Sequence, residues 1–292
     1  MKGFGTNESV LIQVLSKADP MHMALIRSTY SQRHRRDLEK DIVSETSKYF
    51  RDTLVAIVRG PLMTDVHNLN EAIKGLGTKE ALLNDVLLGR SNADMRAIKS
   101  AYQATFRRPL ENDVKGDLSL KTERLFTMVV AATRAEESTP VYPQQVEQDV
   151  TSLYQATTGM TTDQVTVCSI ISSRSDGQLR AISQAFQQRY HVSLEETLKK
   201  KFSGHMEDAL VLMVRRTTDR AMSDAMQMED AMAGMGTKDM LLLQRVVRAH
   251  WDRAHMDQVK RAYQHKYKKD LLQRIRGETG GDYEKLLVAC LS

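Results

Sequence analysis

Cysteine is almost missing from this chain: only Cys168 and Cys290 occur in 292 residues. Two thiols exclude a disulfide framework, and their spacing is unlike any zinc site. A reducing, cytosolic setting is the default for such a chain. No apolar run approaches the roughly eighteen residues of a membrane span. The N-terminus lacks the basic, apolar and small-residue order of a signal sequence. Trp251 is the only tryptophan, and no aromatic-rich strand offers a platform for stacked bases. Blocks of like charge are missing too. The net charge of +5 and pI of about 9.1 suit an anionic partner only weakly, and dedicated nucleic-acid binding is disfavoured. What remains, 41% hydrophobic and 27% charged residues, is the composition of a soluble globular protein with a sizeable core.

Self-similarity is what the chain does have. Four segments share one frame, with large residues four apart. They are Ile26, Tyr30, His34 and Leu38; Ile98, Tyr102, Phe106 and Leu110; Ile182, Phe186, Tyr190 and Leu194; and Val259, Tyr263, Tyr267 and Leu271. A step of four keeps side chains on one helical face, so these positions are expected in the core. Each unit ends in a short, nearly all-round apolar stretch, TLVAIVR, FTMVVAATR, ALVLMVRR or LLVACLS, which predicts a buried helix. The intervals between the aromatic landmarks are 72, 84 and 77 residues. Most of the surplus in the middle interval lies in RAEESTPVYP, where Pro140 and Pro143 forbid a continuous helix. This stretch is expected to link two pairs of repeats. The predicted fold is all-α, with units at 1–60, 61–134, 144–217 and 218–292 and a linker at 135–143.

A glycine motif opens three of the units: MKGFGT at the first residue, IKGLGT at 73–78 and MAGMGT at 232–237. Forty residues after Gly5 stands Glu45, and forty after Gly77 stands Asp117. Glycine permits the positive-φ backbone that turns several carbonyls toward one point. Thr6, Thr78 and Thr237 are placed to cap the next helix, with Glu8, Glu80 and Asp239 in its first turn. A plain helix–helix turn would account for one such loop, but not for loop and carboxylate recurring in register. Loop carbonyls plus a distant carboxylate suit a hard cation such as calcium.

GxGT followed about 38 residues later by an acidic residue, in units of roughly 70, resembles the annexins over essentially the whole chain. The resemblance implies four repeats of about five helices in a curved disc, with calcium loops on the convex face. It also implies reversible, calcium-dependent binding to acidic phospholipid membranes, in a scaffolding or trafficking role without catalysis. Carried over by position, repeat one would use the carbonyls of Met1, Gly3 and Gly5 with the Glu45 side chain. Repeat two would use Ile73, Gly75 and Gly77 with Asp117, and repeat four Met232, Gly234 and Gly236 with Glu278. The apolar tips Phe4, Leu76 and Met235 are expected to dip into the lipid interface, with Lys2 and Lys74 meeting phosphate groups. A cytoplasmic protein, peripheral on membranes when calcium rises, is the implied behaviour.

The pattern also breaks. In repeat three Thr161 replaces the second glycine, and Lys201 stands forty residues on, where the carboxylate belongs. An ammonium there is expected to fill the missing cation's space and donate to loop carbonyls. In repeat four the interval from Gly236 to Glu278 is 42 residues, yet Tyr263 to Glu278 keeps the spacing of 15, so the site is retained. His250 and His255 are five apart with no HExxH nearby, which argues against zinc. Nothing before Met1 corresponds to DVHNLNEAIK, the first helix of repeat two, or to the N-terminal tail through which annexins often bind protein partners. Two other function classes stay open: a helical-repeat interaction scaffold with little lipid binding, and an enzyme with an unrecognised site.

Overall fold

Four helices of equal length show why the chain folds as it repeats. Pro20–His34, Asn92–Phe106, Asp176–Tyr190 and Arg253–Tyr267 are each 15 residues long. Asp19, Ser91, Ser175 and Asp252 precede them, and each side chain accepts a backbone N–H from the first turn, a cap that contributes about 1 kcal/mol. All four stop at a residue in the left-handed region, Arg35, Arg107, His191 or Lys268, with φ between 52° and 61°.

A computed structural model describes residues 5–75, 77–118 and 120–292, without the side chains of Asp117, Leu120 and Lys121. Repeat one contains α1 (Glu8–Leu15), α2 (Pro20–His34), α3 (Leu38–Glu45) and the first part of α4 (Lys48–Ile73). That helix breaks at Gly60 (φ 75°, ψ 174°), and Pro61 opens its second part, which begins repeat two. The rest of repeat two is α5 (Glu80–Leu87), α6 (Asn92–Phe106), α7 (Leu110–Asp117) and α8 (Leu120–Val130). Repeat three is α9 (Pro143–Thr158), α10 (Gln164–Ser173), α11 (Asp176–Tyr190), α12 (Leu194–Lys201) and α13 (Gly204–Thr218). Repeat four is α14 (Arg220–Met232), α15 (Asp239–His250), α16 (Arg253–Tyr267), α17 (Leu271–Glu278) and α18 (Gly281–Leu291). The described residues contain no strand, so the fold is all-α.

The apolar ends of the units are buried as expected, through Leu54 and Ile57, Phe126 and Val130, Leu210 and Val214, and Leu286 and Leu287. The linker expectation is corrected. Residues 136–142 are non-helical, but they lie inside one compact unit, Val66–Ser223, and not between two. In that unit α5, α8, α10 and α13 pack on one another, which joins repeats two and three. The start of the connection is pinned there: Arg134 donates to Asp176 at 2.5 Å and to the Arg174 carbonyl at 3.1 Å. The other unit combines Met1–Asp65 with Asp224–Ser292, and in it α1 and α15 pack on α18. Nearness in sequence therefore did not decide which repeats share a core.

The four-residue pattern marks the core in repeats two to four, where Tyr102, Phe186 and Tyr263 are fully buried. Its third positions, Phe106, Tyr190 and Tyr267, are only half-buried. In repeat one the expectation fails: Ile26 and Tyr30 are half-buried and His34 is exposed. Elsewhere a helix preceding the glycine loop covers this face. Tyr154 of α9 stacks on Tyr190 at 3.7 Å, and His67 of α4 meets Phe106 edge-on at 5.7 Å. Among the described residues, repeat one has no such helix over α2.

His250 and His255 are structural. The Nδ1 of His250 lies 3.1 Å from the Cys290 carbonyl, and its Nε2 is buried with no partner, so the neutral ring with the proton on Nδ1 fits the site. Burial holds its pKa below the usual 6.5. The unfolded chain therefore takes up the proton first. Stability from the neutral ring is complete above about pH 6.5 and is lost as pH falls below it, at up to about 1.4 kcal/mol per pH unit. Thermal melting between pH 7.5 and 5.5 is expected to fall more steeply for the native chain than for His250→Asn. Equal slopes would assign the acid sensitivity elsewhere.

Candidate metal centre

The glycine loops share a backbone, and repeat three departs from it. Gly5, Gly77 and Gly236 have φ of 88°, 84° and 85°, and Gly75 and Gly234 have φ of 127° and 97°. A Cβ added at any of them would meet nothing within 4 Å. What excludes other residues is the left-handed backbone, not space. In repeat three Gly159 is extended, with φ −65° and ψ 173°, and Thr161 has no positive φ. Loop length is nonetheless kept. Lys79 N–H donates to the Ala72 carbonyl at 2.8 Å, Lys238 to Ala231 at 2.8 Å, and Asp163 to Ala156 at 2.9 Å.

The carboxylates stand where a helix least favours them. Glu45, Asp117 and Glu278 are the last residues of α3, α7 and α17, at the negative end of each helix dipole, where an acid costs about 0.3–1 kcal/mol. Lys201 ends α12 in the same register, so repeat three gains local stability where it loses an anion. The expected lysine substitute is corrected: Lys201 is exposed, and among the described residues its side chain makes no hydrogen bond or ion pair. Its stem starts at a helix end facing water, and its ammonium keeps its hydration.

The threonines do something the sequence did not announce. Thr6 does not cap α1, because Asn7 does. The Thr6 hydroxyl instead donates to the Glu45 carboxylate at 3.1 Å and lies 3.3 Å from the Glu45 carbonyl. Thr237 likewise donates to Glu278 at 2.7 Å, while Lys238 takes the N-cap position of α15 without a side-chain bond. Lys79 holds that place before α5. In repeats one and four the threonine thus ties the loop to the carboxylate of a distant helix. Glu8, Glu80 and Asp239 do sit in the first turns of α1, α5 and α15.

Repeat four carries one group that sequence reasoning missed. Arg274, one turn before Glu278 on α17, donates through Nη1 to the Glu278 carboxylate and through Nη2 to the Met232 carbonyl at 2.8 Å. Its Nε and Nη2 also reach Glu229, at 3.3 and 3.4 Å. The Thr237 hydroxyl and then this guanidinium hold the Glu278 carboxyl below the usual carboxylate range. Burial, above all, raises that of Asp239.

The fit to a hard cation follows from this contact. One guanidinium touches a loop carbonyl and the distant carboxylate together, so both oxygens face one small cationic volume. Among the described residues no three His, Cys, Asp or Glu side chains gather as a metal cluster. A site built from carbonyls and a single carboxylate would not form such a cluster. At the tips, Met235 is fully exposed, and so is Met160 in repeat three. Met160 was missed because its loop lacks the glycine signature, although it fills the same register. Lys74 is exposed and Ile73 half-buried. Met1, Lys2, Gly3, Phe4 and Leu76, and the side chain of Asp117, lie outside the described residues.

The fold and loops define a class: an all-helical protein of four homologous repeats, three of them with a positive-φ glycine loop. The annexin family model matches residues 1–57, 64–129, 148–213 and 223–290. The chain belongs to the annexin family. Annexin C1 of Cryptococcus neoformans var. grubii is 42% identical over 294 residues, a match covering 99% of this chain and 62% of that protein's length. Annexin A13 of Mus musculus is 37% identical over 292 residues, with 99% and 91% covered. The calcium-bound structure of annexin (Sm)1 superposes with a TM-score of 0.87 at 26% identity, covering 100% of this chain and 86% of that one.

Proposed function

We propose that this chain binds acidic phospholipid membranes reversibly and only with calcium, as a binding and scaffolding protein and not an enzyme. The reading rests on one observation above the others: Met232 O and the Glu278 carboxylate, 46 residues apart, converge on a single cationic group. Calcium would be held by the carbonyls of Met232, Gly234 and Gly236 with Glu278, and by Ile73, Gly75 and Gly77 with Asp117. In repeat one the set is Met1, Gly3 and Gly5 with Glu45. When bound, the ion supplies the positive charge that joins these oxygens to anionic headgroups. The chain's own part is to orient the oxygens, through the glycine backbone and the threonine ties. Phe4, Leu76, Met235 and Met160 enter the lipid interface, with Lys2 and Lys74 at phosphate level. The relatives' family and the calcium named for annexin (Sm)1 support this reading. No helix among the described residues is long and apolar enough to cross a membrane, which fits surface attachment from the cytoplasm when calcium rises.

Co-sedimentation with phosphatidylserine vesicles tests it. The chain is expected to pellet with calcium, return to the supernatant with a chelator, and pellet less as phosphatidylserine is diluted with neutral lipid. Pelleting that ignores calcium would overturn the reading.

A further inference from the structure

We propose that Arg274 is a tethered cation in the loop of repeat four, and that calcium binds there only when its guanidinium swings out. The proposal rests on the calcium reading above and assigns this one site a raised threshold.

Register shows how the arginine came to lie there. Arg274 is eleven residues after Tyr263, the place held by Asp41 after Tyr30 and by Asp113 after Tyr102. In repeat one Asp41 accepts from Tyr30 at 2.6 Å and from Arg36 at 2.7 Å. In repeat two Asp113 accepts from Tyr102 at 2.6 Å and from Arg108, which also reaches Asn70 at 3.0 Å. Repeat four reverses the charges. Its acid is Glu229 on α14, seven residues before Gly236 as Asn70 is before Gly77. Tyr263 now donates to Glu229, and the base has moved onto α17. The same tyrosine–acid–arginine cluster is kept, but the guanidinium now sits one helical turn from the candidate ligand.

That move joins two groups which in repeat one stay apart. Among the described residues, Glu45 accepts hydrogen bonds only from Thr6, and Arg36 is spent on Asp41. Glu278 instead has a guanidinium on one oxygen and the Thr237 hydroxyl on the other. The Arg274 side chain is only 20% exposed, so it is packed in the site and not a passing surface charge. Two of the oxygens assigned to calcium, Met232 O and Glu278 Oε1, are already occupied by its N–H groups. Arginine cannot lose its proton here, so the competition persists at every physiological pH. Glu229 provides the resting place: it accepts from Nε, which bonds neither candidate ligand, and shares Nη2 with the Met232 carbonyl, and these bonds can hold the side chain after the site opens. A guanidinium in place in about nine molecules of ten weakens apparent affinity by about tenfold.

Calorimetric titration of calcium chloride alone into the chelator-stripped full chain tests this, with phosphatidylserine vesicles added where binding without lipid is too weak to read. In Arg274→Met one site is expected to tighten by about tenfold, and adding Glu278→Gln should abolish that gain. In chelator the same Arg274→Met should melt below the native chain, since Glu229 and Glu278 lose their counter-charge. A merely structural arginine predicts lower melting with equal or weaker calcium binding, so affinities within twofold of native overturn the proposal. If Arg274→Met loses helical ellipticity, Arg274→Gln, neutral but still able to donate to Glu229, is judged by the same criterion. A native chain that takes up no calcium even with vesicles would overturn the calcium reading, and this proposal with it. A native chain that binds calcium beside an unaltered variant overturns only the tethered cation.

Discussion

Replacing Glu45, Asp117 and Glu278 together by their amides is expected to leave the chain folded and in the supernatant with calcium and phosphatidylserine vesicles. Each candidate site offers calcium one formal negative charge, the rest being carbonyl dipoles. Glutamine or asparagine keeps an oxygen of similar reach but removes that charge, a loss on the order of ten- to a hundredfold in affinity per site. Attachment through several loops multiplies these losses, because each bound loop raises the effective concentration of the others at the membrane. At Glu45 and Asp117 stability should move the opposite way, since each ends a helix on the unfavourable side of its dipole, whereas Glu278→Gln gives up the ion pair with Arg274. Lys201→Ala is the comparison: it removes only one basic residue, about 1 kcal/mol of attraction if it lies near an anionic surface. Asp117→Ala alone should therefore weaken pelleting more than Lys201→Ala. Equal effects would detach the carboxylates from calcium binding.

What could be read in advance was whatever a short window determines. A step of four apolar residues specified the buried faces of α6, α11 and α16, because helical periodicity is local. In α2 the same step did not specify burial, since burial needs a second helix and a window cannot supply one. The glycines were legible because only one residue type accepts their backbone at no cost. Threonine was ambiguous, since the same hydroxyl can cap its own helix or reach a carboxylate 39 residues away. Arg274 was invisible for a similar reason. Its partners Met232 and Glu229 lie 42 and 45 residues upstream, and only the folded loop makes it a competitor for the site. Which repeats share a core was likewise hidden, because connection length says nothing of whose apolar face meets whose.

Repeat three, whose loop lacks the positive-φ glycines, poses the question of what holds a repeat together, and Arg174→Met should answer it. Asp149 on α9 is buried, and Arg174, just after α10, donates to both its oxygens at 2.7 and 2.8 Å. Gln178 of α11 and Gln145 add neutral donors at 3.3 and 3.1 Å. Three helices thus meet on one carboxylate. Repeat four keeps the slot: Asp224, twelve residues before Gly236 as Asp149 is before Thr161, lies 2.7 Å from Nε2 of His255. Removing the arginine strands a charge that water does not reach, a loss of about 3 kcal/mol. The double change Arg174→Met with Asp149→Leu removes both charges and should recover most of it, since a buried pair is often no better than apolar packing. Urea unfolding followed by circular dichroism reads these values, and a loss below about 1 kcal/mol for the single variant would show that the slot is wet. Calcium taken up per folded molecule should be unchanged in both variants. The glycine loops would then be additions to a repeat that already stands on its own buried contacts, which is why repeat three could lose its loop chemistry and keep its fold.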